Sequence, residues 1–168
     1  MKEYTVITNQ HIYRAGTFQR VIRVTKVKQK EVSYMLTPSL EDYLEEIYRF
    51  SLSLDTVRVT DISKRLKVAL PSVTKALYKL RDESYIKYER YGEIKLTDKG
   101  KEFGNYLVSR NQLLQEFLAL ICSKCNFAAE AEAMEHYLST ATIDAIKTLV
   151  EFMKSNTSWQ QAFNDFMN

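Results

Sequence analysis

The chain has 168 residues, 45% of them apolar and 27% charged, with a formal net charge of +3. That length suits one large domain or two small ones, and no apolar run is long enough to cross a membrane. Two cysteines, Cys122 and Cys125, are too few for a disulfide scaffold and fit a reducing, cytoplasmic setting.

The small net charge hides strong segregation. Residues 1–34 carry seven Lys/Arg and two Asp/Glu, residues 35–56 one and five, residues 57–101 twelve and six, and residues 111–168 three and seven. A basic middle between acidic flanks suggests a polyanion-binding unit joined to one that binds cations.

Residues 1–34 are polar and basic, without the apolar core of a signal peptide. Residues 13–16 can turn, and Val21–Val27 can form a short strand, but no partner strand follows it. Met35 offers a start of its own, and residues 30–32 can be encoded by a purine-rich ribosome-binding string just upstream of it. Residues 1–34 are therefore set aside as an uncertain basic extension; the alternative is a basic arm that adds affinity for nucleic acid.

From Ser39, expected as an N-cap with Asp42 in the capping-box position, an apolar stripe of Leu40, Tyr43, Leu44, Ile47, Tyr48 and Phe50 predicts a helix to Leu52. Asp42 and Glu45 share one of its faces, where acid at a helix N-terminus is a sufficient explanation. Val57–Val59 reads as a short strand, and Thr60 as the cap of a helix over 61–66. Residues 68–70 turn, and Pro71 opens a second helix running to Arg81. Val73, Leu77 and Leu80 of that helix face a core, while Ser72, Thr74, Lys75, Tyr78 and Lys79 lie on or beside its outer face. Two short helices and a tight turn, the second helix rich in hydroxyl and basic residues, make the helix-turn-helix pattern. Strands over 85–90 and 93–97 around Tyr91-Gly92 add a wing with Arg90 at its tip.

This is a winged helix over 35–100. Bound to double-stranded DNA, its second helix enters the major groove, with Ser72, Thr74 and Lys75 nearest base edges, Lys79 beside them, and Arg90 reaching phosphate or the minor groove. A winged helix that binds protein is the alternative.

The remainder is helical: a long helix from about Asp98 to Leu120, a second over 128–139, a third over 140–153, and a tail over 155–168 holding Trp159, Phe163 and Phe166. Residues 101–154 expose too much apolar surface for a solitary core, so a homodimer is expected. Cys122 and Cys125 form a lone CxxC, read as small half-buried thiols rather than a zinc or redox site. Glu132, Glu135 and His136 are spaced i, i+3, i+4 and would share one helix face. Two carboxylates and an imidazole there can hold a divalent cation; a solvated acidic face is the plainer explanation.

The stretches Thr37–Tyr48 (TPSLEDYLEEIY), Arg58–Ile62, Pro71–Lys75, Tyr88–Gly92, Leu96–Gly100 and Glu132–His136 together resemble the diphtheria-toxin-repressor family of metal-dependent regulators, manganese transport regulator branch. The resemblance implies a mainly α, homodimeric repressor of metal-uptake genes. It implies an N-terminal winged helix followed by a helical dimerisation domain, without the SH3-like domain of longer relatives. It places metal ligands at Asp42, Glu45, Glu132, Glu135 and His136. Asp42 and Glu132 stand where iron-responsive relatives carry sulfur, which favours Mn2+ over Fe2+ or Zn2+. The chain departs from the family at Asn111, where a histidine is usual, and at Gln115, where glutamate is common. Asn111 can still offer a carbonyl oxygen as a weaker metal ligand, so one strong metal site per subunit is expected, with a second, weak one as the alternative. The rivals are a regulator answering to Fe2+ or Zn2+, one that has lost metal sensing, and a metal-dependent hydrolase. No small-molecule substrate motif supports the last, and no enzyme is expected.

Overall fold

The computed structural model describes residues 5–14, 17–26, 36–54, 56–90, 92–121 and 124–167. The chain divides into two compact units, Met1–Met35 and Leu36–Asn168. In the first, β1 (Thr5–Arg14) and β2 (Thr17–Lys26) pair antiparallel, from Thr5 against Lys26 to Arg14 against Thr17. The strand expected over 21–27 therefore has a partner, but it precedes rather than follows. Its centre, Asn9-Gln10-His11, is polar, which hides it from a hydrophobic-pattern search. The expected turn falls partly on residues 15 and 16, outside the described residues.

The second unit opens with α1 (Pro38–Ser51). Ser39 is not its cap. Thr37 takes that place with Pro38 at the first helical position, where a missing N–H costs nothing. The Thr37 carbonyl accepts from the N–H groups of Leu40 and Glu41. Tyr43, Leu44 and Ile47 are buried, as their spacing predicts.

α2 (Val59–Leu66) begins one residue before the expected cap, Thr60, which lies inside it. Arg58 is the capping residue, and its N–H donates to Asp61 Oδ2 at 3.2 Å. The strand expected over 57–59 is reduced to one antiparallel bridge between Val57 and Ile94. Lys67, at φ 54°, turns the chain out of α2 in the left-handed region. Ser63 Oγ then donates to the Val68 carbonyl at 2.7 Å and holds the turn.

α3 (Leu70–Asp82) buries Val73, Ala76, Leu77 and Leu80. The wing's regular strands are short: β3 (Ile86–Lys87) and β4 (Lys95–Leu96). Tyr85, Ile86, Tyr88 and Ile94 are buried around them, so packing rather than ladder bonds holds most of the hairpin. Tyr91 lies outside the described residues.

α4 (Asp98–Ile121) is the spine of this unit. Its first half packs Phe103 and Leu107 towards α1 and the wing; its second half packs Leu114 and Leu118 with Ala131 and Ile143. Two glycines permit close approach. A Cβ on Gly100 would overlap the Tyr85 carbonyl oxygen, and one on Gly104 would lie 2.6 Å from Tyr48 Cβ.

α5 (Phe127–Glu135) stops well short of the expected Ser139, because Ser139 caps the next helix by accepting from the Thr142 N–H. α6 (Thr140–Ser155) and α7 (Thr157–Met167) complete the chain. Phe152, Trp159 and Phe166 stay exposed beside an apolar groove of about 490 Å³ between α4, α6 and α7.

Gly100→Ala is expected to destabilise the protein by roughly 1–3 kcal/mol, the usual range for overpacking against a fixed backbone. Urea denaturation measures it, and an unchanged midpoint would show that α4 and Tyr85 have room to separate.

Candidate metal centre and nucleic-acid interface

The N-terminal half of α1 and the C-terminal end of α5 meet beside the middle of α4. Asp42, Glu135 and His136 each turn one ligand atom into that junction, all within 4.8 Å of one another. His136 Nε2 lies 3.1 Å from Asp42 Oδ1 and 3.8 Å from Glu135 Oε1. His136 does not sit within a helix face. It is the C-cap residue of α5, still near right-handed helical geometry, so its ring stays beside Glu135.

Of the other expected ligands, Glu45 is buried one turn along α1 from Asp42 and pairs with Arg49 at 2.6 Å. Glu132 is exposed and outside the three-residue group. It is close enough to Asp42 to disfavour that group's ionisation. Asn111 is buried at the site, its Nδ2 donating to Glu135 Oε2 at 3.2 Å and its Oδ1 accepting from Gln115 Nε2 at 2.6 Å.

Two residues here escape sequence reasoning. Arg110, with a side chain 7% exposed, donates from Nη2 to Glu41 Oε2 at 2.9 Å. Its Nε is 3.7 Å from Glu135 Oε2, and this buried nitrogen makes no hydrogen bond. Glu41 Oε2 is also 3.3 Å from His136 Nδ1. The one available signal is a lone cation at position 110 inside an otherwise apolar and polar-neutral stretch of α4.

The carboxylates respond to their setting. Burial pushes the Asp42 carboxyl above its ordinary range; His136 opposes that shift, while Glu132 and Glu45 add to it. Burial pushes Glu135 up to about 7, with Glu45 adding to it and Arg110, Asn111 and His136 opposing. Two carboxylates and an imidazole are hard-to-borderline donors suited to a divalent first-row cation. Cys125, the described member of the CxxC, packs in the apolar cluster with Leu114 and Ala131 instead; Cys122 lies outside the described residues.

The DNA-facing candidates divide as well. Ser72, Lys75 and Lys79 are exposed on α3, and Arg90 is exposed in the wing. Thr74 is half-buried, and its hydroxyl donates to the Leu70 carbonyl at 3.1 Å, so its polar group serves its own helix. Arg81 pairs with Asp82 at 2.7 Å.

Two family models match almost the whole second unit. Residues 35–94 match the iron dependent repressor N-terminal DNA-binding domain, and residues 97–161 match the iron dependent repressor metal-binding and dimerisation domain. The chain is 41% identical over 132 residues to the HTH-type transcriptional regulator MntR of Geobacillus kaustophilus (strain HTA426), covering 78% of this chain and 94% of that protein. Among solved structures it is similar to a manganese-dependent transcriptional repressor in complex with manganese, at 26% identity and a TM-score of 0.62 over 67% of this chain and 53% of that one. It is also similar to the manganese regulator SloR, at 25% identity and a TM-score of 0.61 over 70% of this chain and 55% of that one. The chain thus spans about half the length of these solved relatives.

Glu135 carries a pH signature in the metal-free protein. Its folded pKa, about 7, lies above the ordinary 4.5. Its proton therefore contributes stability that is fully present below about pH 4.5 and lost as pH rises through about 7. Thermal melts of metal-free wild type and Glu135→Gln between about pH 5 and pH 8 should converge at the acid end and separate at the alkaline end, with wild type the less stable. Parallel curves would show that Glu135 is ionised throughout.

Proposed function

The chain belongs to the iron-dependent repressor family, and on that premise we propose that it represses transcription by binding DNA as a homodimer when Mn2+ occupies the junction of Asp42, Glu135 and His136. One observation carries this reading. Asp42 comes from the winged-helix half and Glu135 and His136 from the helical half, so one site joins the two. Glu45 and Glu132, adjacent on α1 and α5, complete the ligand set by side-chain rotation. Mn2+ rather than Fe2+ or Zn2+ agrees with an oxygen-rich donor set that contains no sulfur. It agrees also with the manganese regulators to which the chain is similar.

A divalent cation supplies the positive charge that this carboxylate-rich junction lacks. The protein's own groups do the rest. Asp42 ties α1 to the end of α5, and α2 and α3 pack on α1, so ordering the junction orders the reading helix. A cation that binds the DNA-competent arrangement better shifts the population towards it. The acidic groups of the junction also have cationic partners of their own. Arg110 bridges towards Glu41 and Glu135, and His136 lies against Asp42.

Ser72, Lys75 and Lys79 of α3 and Arg90 of the wing form the DNA surface, with Thr74 a packing residue on that helix. Pairing of two subunits covers the exposed apolar side chains of α6 and α7 and sets two α3 helices one DNA turn apart, about 34 Å. The targets are metal-uptake genes, and the setting is the cytoplasm.

DNA binding to the region upstream of its own gene, at fixed salt, tests the reading. Full-length protein is compared in chelator, Mn2+, anaerobic Fe2+ and Zn2+. Tight binding is expected with Mn2+ and not with chelator. Glu135→Gln and His136→Ala should each weaken Mn2+-dependent binding by at least about tenfold to a hundredfold while the far-ultraviolet spectrum stays native. Equal binding in chelator and Mn2+ would refute the switch.

A further inference from the structure

We infer that Asn111 and Gln115 are positioning residues that hold Glu135 for a single metal ion per subunit, and that Asn111 is not itself a ligand; this rests on the metal-binding reading above.

The two amides form a relay of fixed polarity. Glu135 would be ionised when it holds a cation, and an ionised carboxylate only accepts hydrogen bonds, which is the direction seen from Asn111 Nδ2. Glu135 Oε2, 3.2 Å away, must therefore face the NH2 end of the Asn111 amide. That turns the Asn111 carbonyl oxygen, the one side-chain atom able to bind a cation, towards Gln115. Gln115 Nε2 donates to it at 2.6 Å. Asn111 and Gln115 are one turn apart on α4, so the rigid helix keeps them in register. With Oε2 held by Asn111 and faced by Arg110 Nε at 3.7 Å, the Glu135 oxygen nearest His136 is Oε1. A second cation beside Asn111 would have to break both amide bonds and lie against the Arg110 guanidinium. The junction therefore has room in charge and geometry for one ion.

The relay predicts opposite outcomes for two substitutions at one position. Gln115→Leu removes the donor and frees the Asn111 amide to rotate. Glu135 is then less well held, and Mn2+ affinity should fall by about tenfold or more, as for other groups that orient metal ligands, with one ion still bound. Gln115→Glu reverses the polarity. A carboxylate at 115 draws the Asn111 NH2 towards itself, turns its oxygen to Glu135 and adds a negative charge that offsets the Arg110 guanidinium, creating a second oxygen-lined position that should take a second ion.

Calorimetric titration of full-length, metal-free wild type and both variants with Mn2+ reads number and affinity together; metal-free melting confirms each fold. One ion per wild-type subunit, weaker binding by Gln115→Leu and two ions in Gln115→Glu are expected. If Gln115→Glu fails to fold, the affinity of Gln115→Leu decides. Two ions in wild type, or variants that match wild type in number and affinity, overturn the relay while leaving the metal site standing. No Mn2+ binding by wild type overturns both.

Discussion

Acidic groups from distant parts of the chain meet at one helix junction, Glu45 and Glu135 buried and Glu41 and Asp42 half-buried, and the rest of the second unit is arranged around them. Glu41, Asp42 and Glu45 arrive on α1, and Glu135 arrives at the end of α5. Burying carboxylates together is costly unless cations or hydrogen-bond donors accompany them. Arg110, Arg49, Asn111 and His136 are those companions. They are incomplete ones: Glu135 is pushed up to about 7, and Arg110 Nε is buried without a hydrogen bond. A junction left under-neutralised by its own groups is one whose strain a cation would relieve.

The junction also needs its helices held firmly, and α4 does this at both ends. Gly104 lets the α1 backbone come within a side chain's width, with Tyr48 closing over it and donating to Asn105 Oδ1 at 3.1 Å. Leu114 and Leu118 bind the other end into the core shared with α5 and α6. Arg110 and Asn111 lie between the two packed regions, so the polar groups of the site are carried on a helix with apolar anchors on either side. This arrangement suits a site that must couple two halves of a protein, since neither half can shift without straining packed side chains.

Much of this was legible in the sequence, for physical reasons that also explain the failures. Tyr43, Leu44 and Ile47 on α1, and Val73, Leu77 and Leu80 on α3, repeat at helical spacing, so elements and core faces follow from local pattern. Asp42, Glu135 and His136 came from local spacing joined to a family resemblance. Glu41 and Arg110 could not be found this way, because their pairing joins residues 69 apart in sequence. Caps failed for a different reason. Thr37, Arg58 and Ala69 precede their helices without a side-chain cap bond, so a search for hydroxyl or carboxylate caps shifts to a neighbouring Ser or Thr. Glu132 shares a spacing with Glu135 and His136 but is exposed at the rim of the junction, where it bears on Asp42.

The contrast in burial between the two working surfaces separates the influences to which each responds. Lys75, Lys79 and Arg90 are exposed, and in the proposed role their attraction to phosphate would weaken as ionic strength rises and counterions compete. The charges around Glu135 and Arg110, only 2% and 7% exposed, are screened far less. On the proposed reading, ionic strength would act more strongly on nucleic-acid binding than on the buried part of the cation site. A change in cellular salt would then alter the grip on nucleic acid sooner than the reading of the metal.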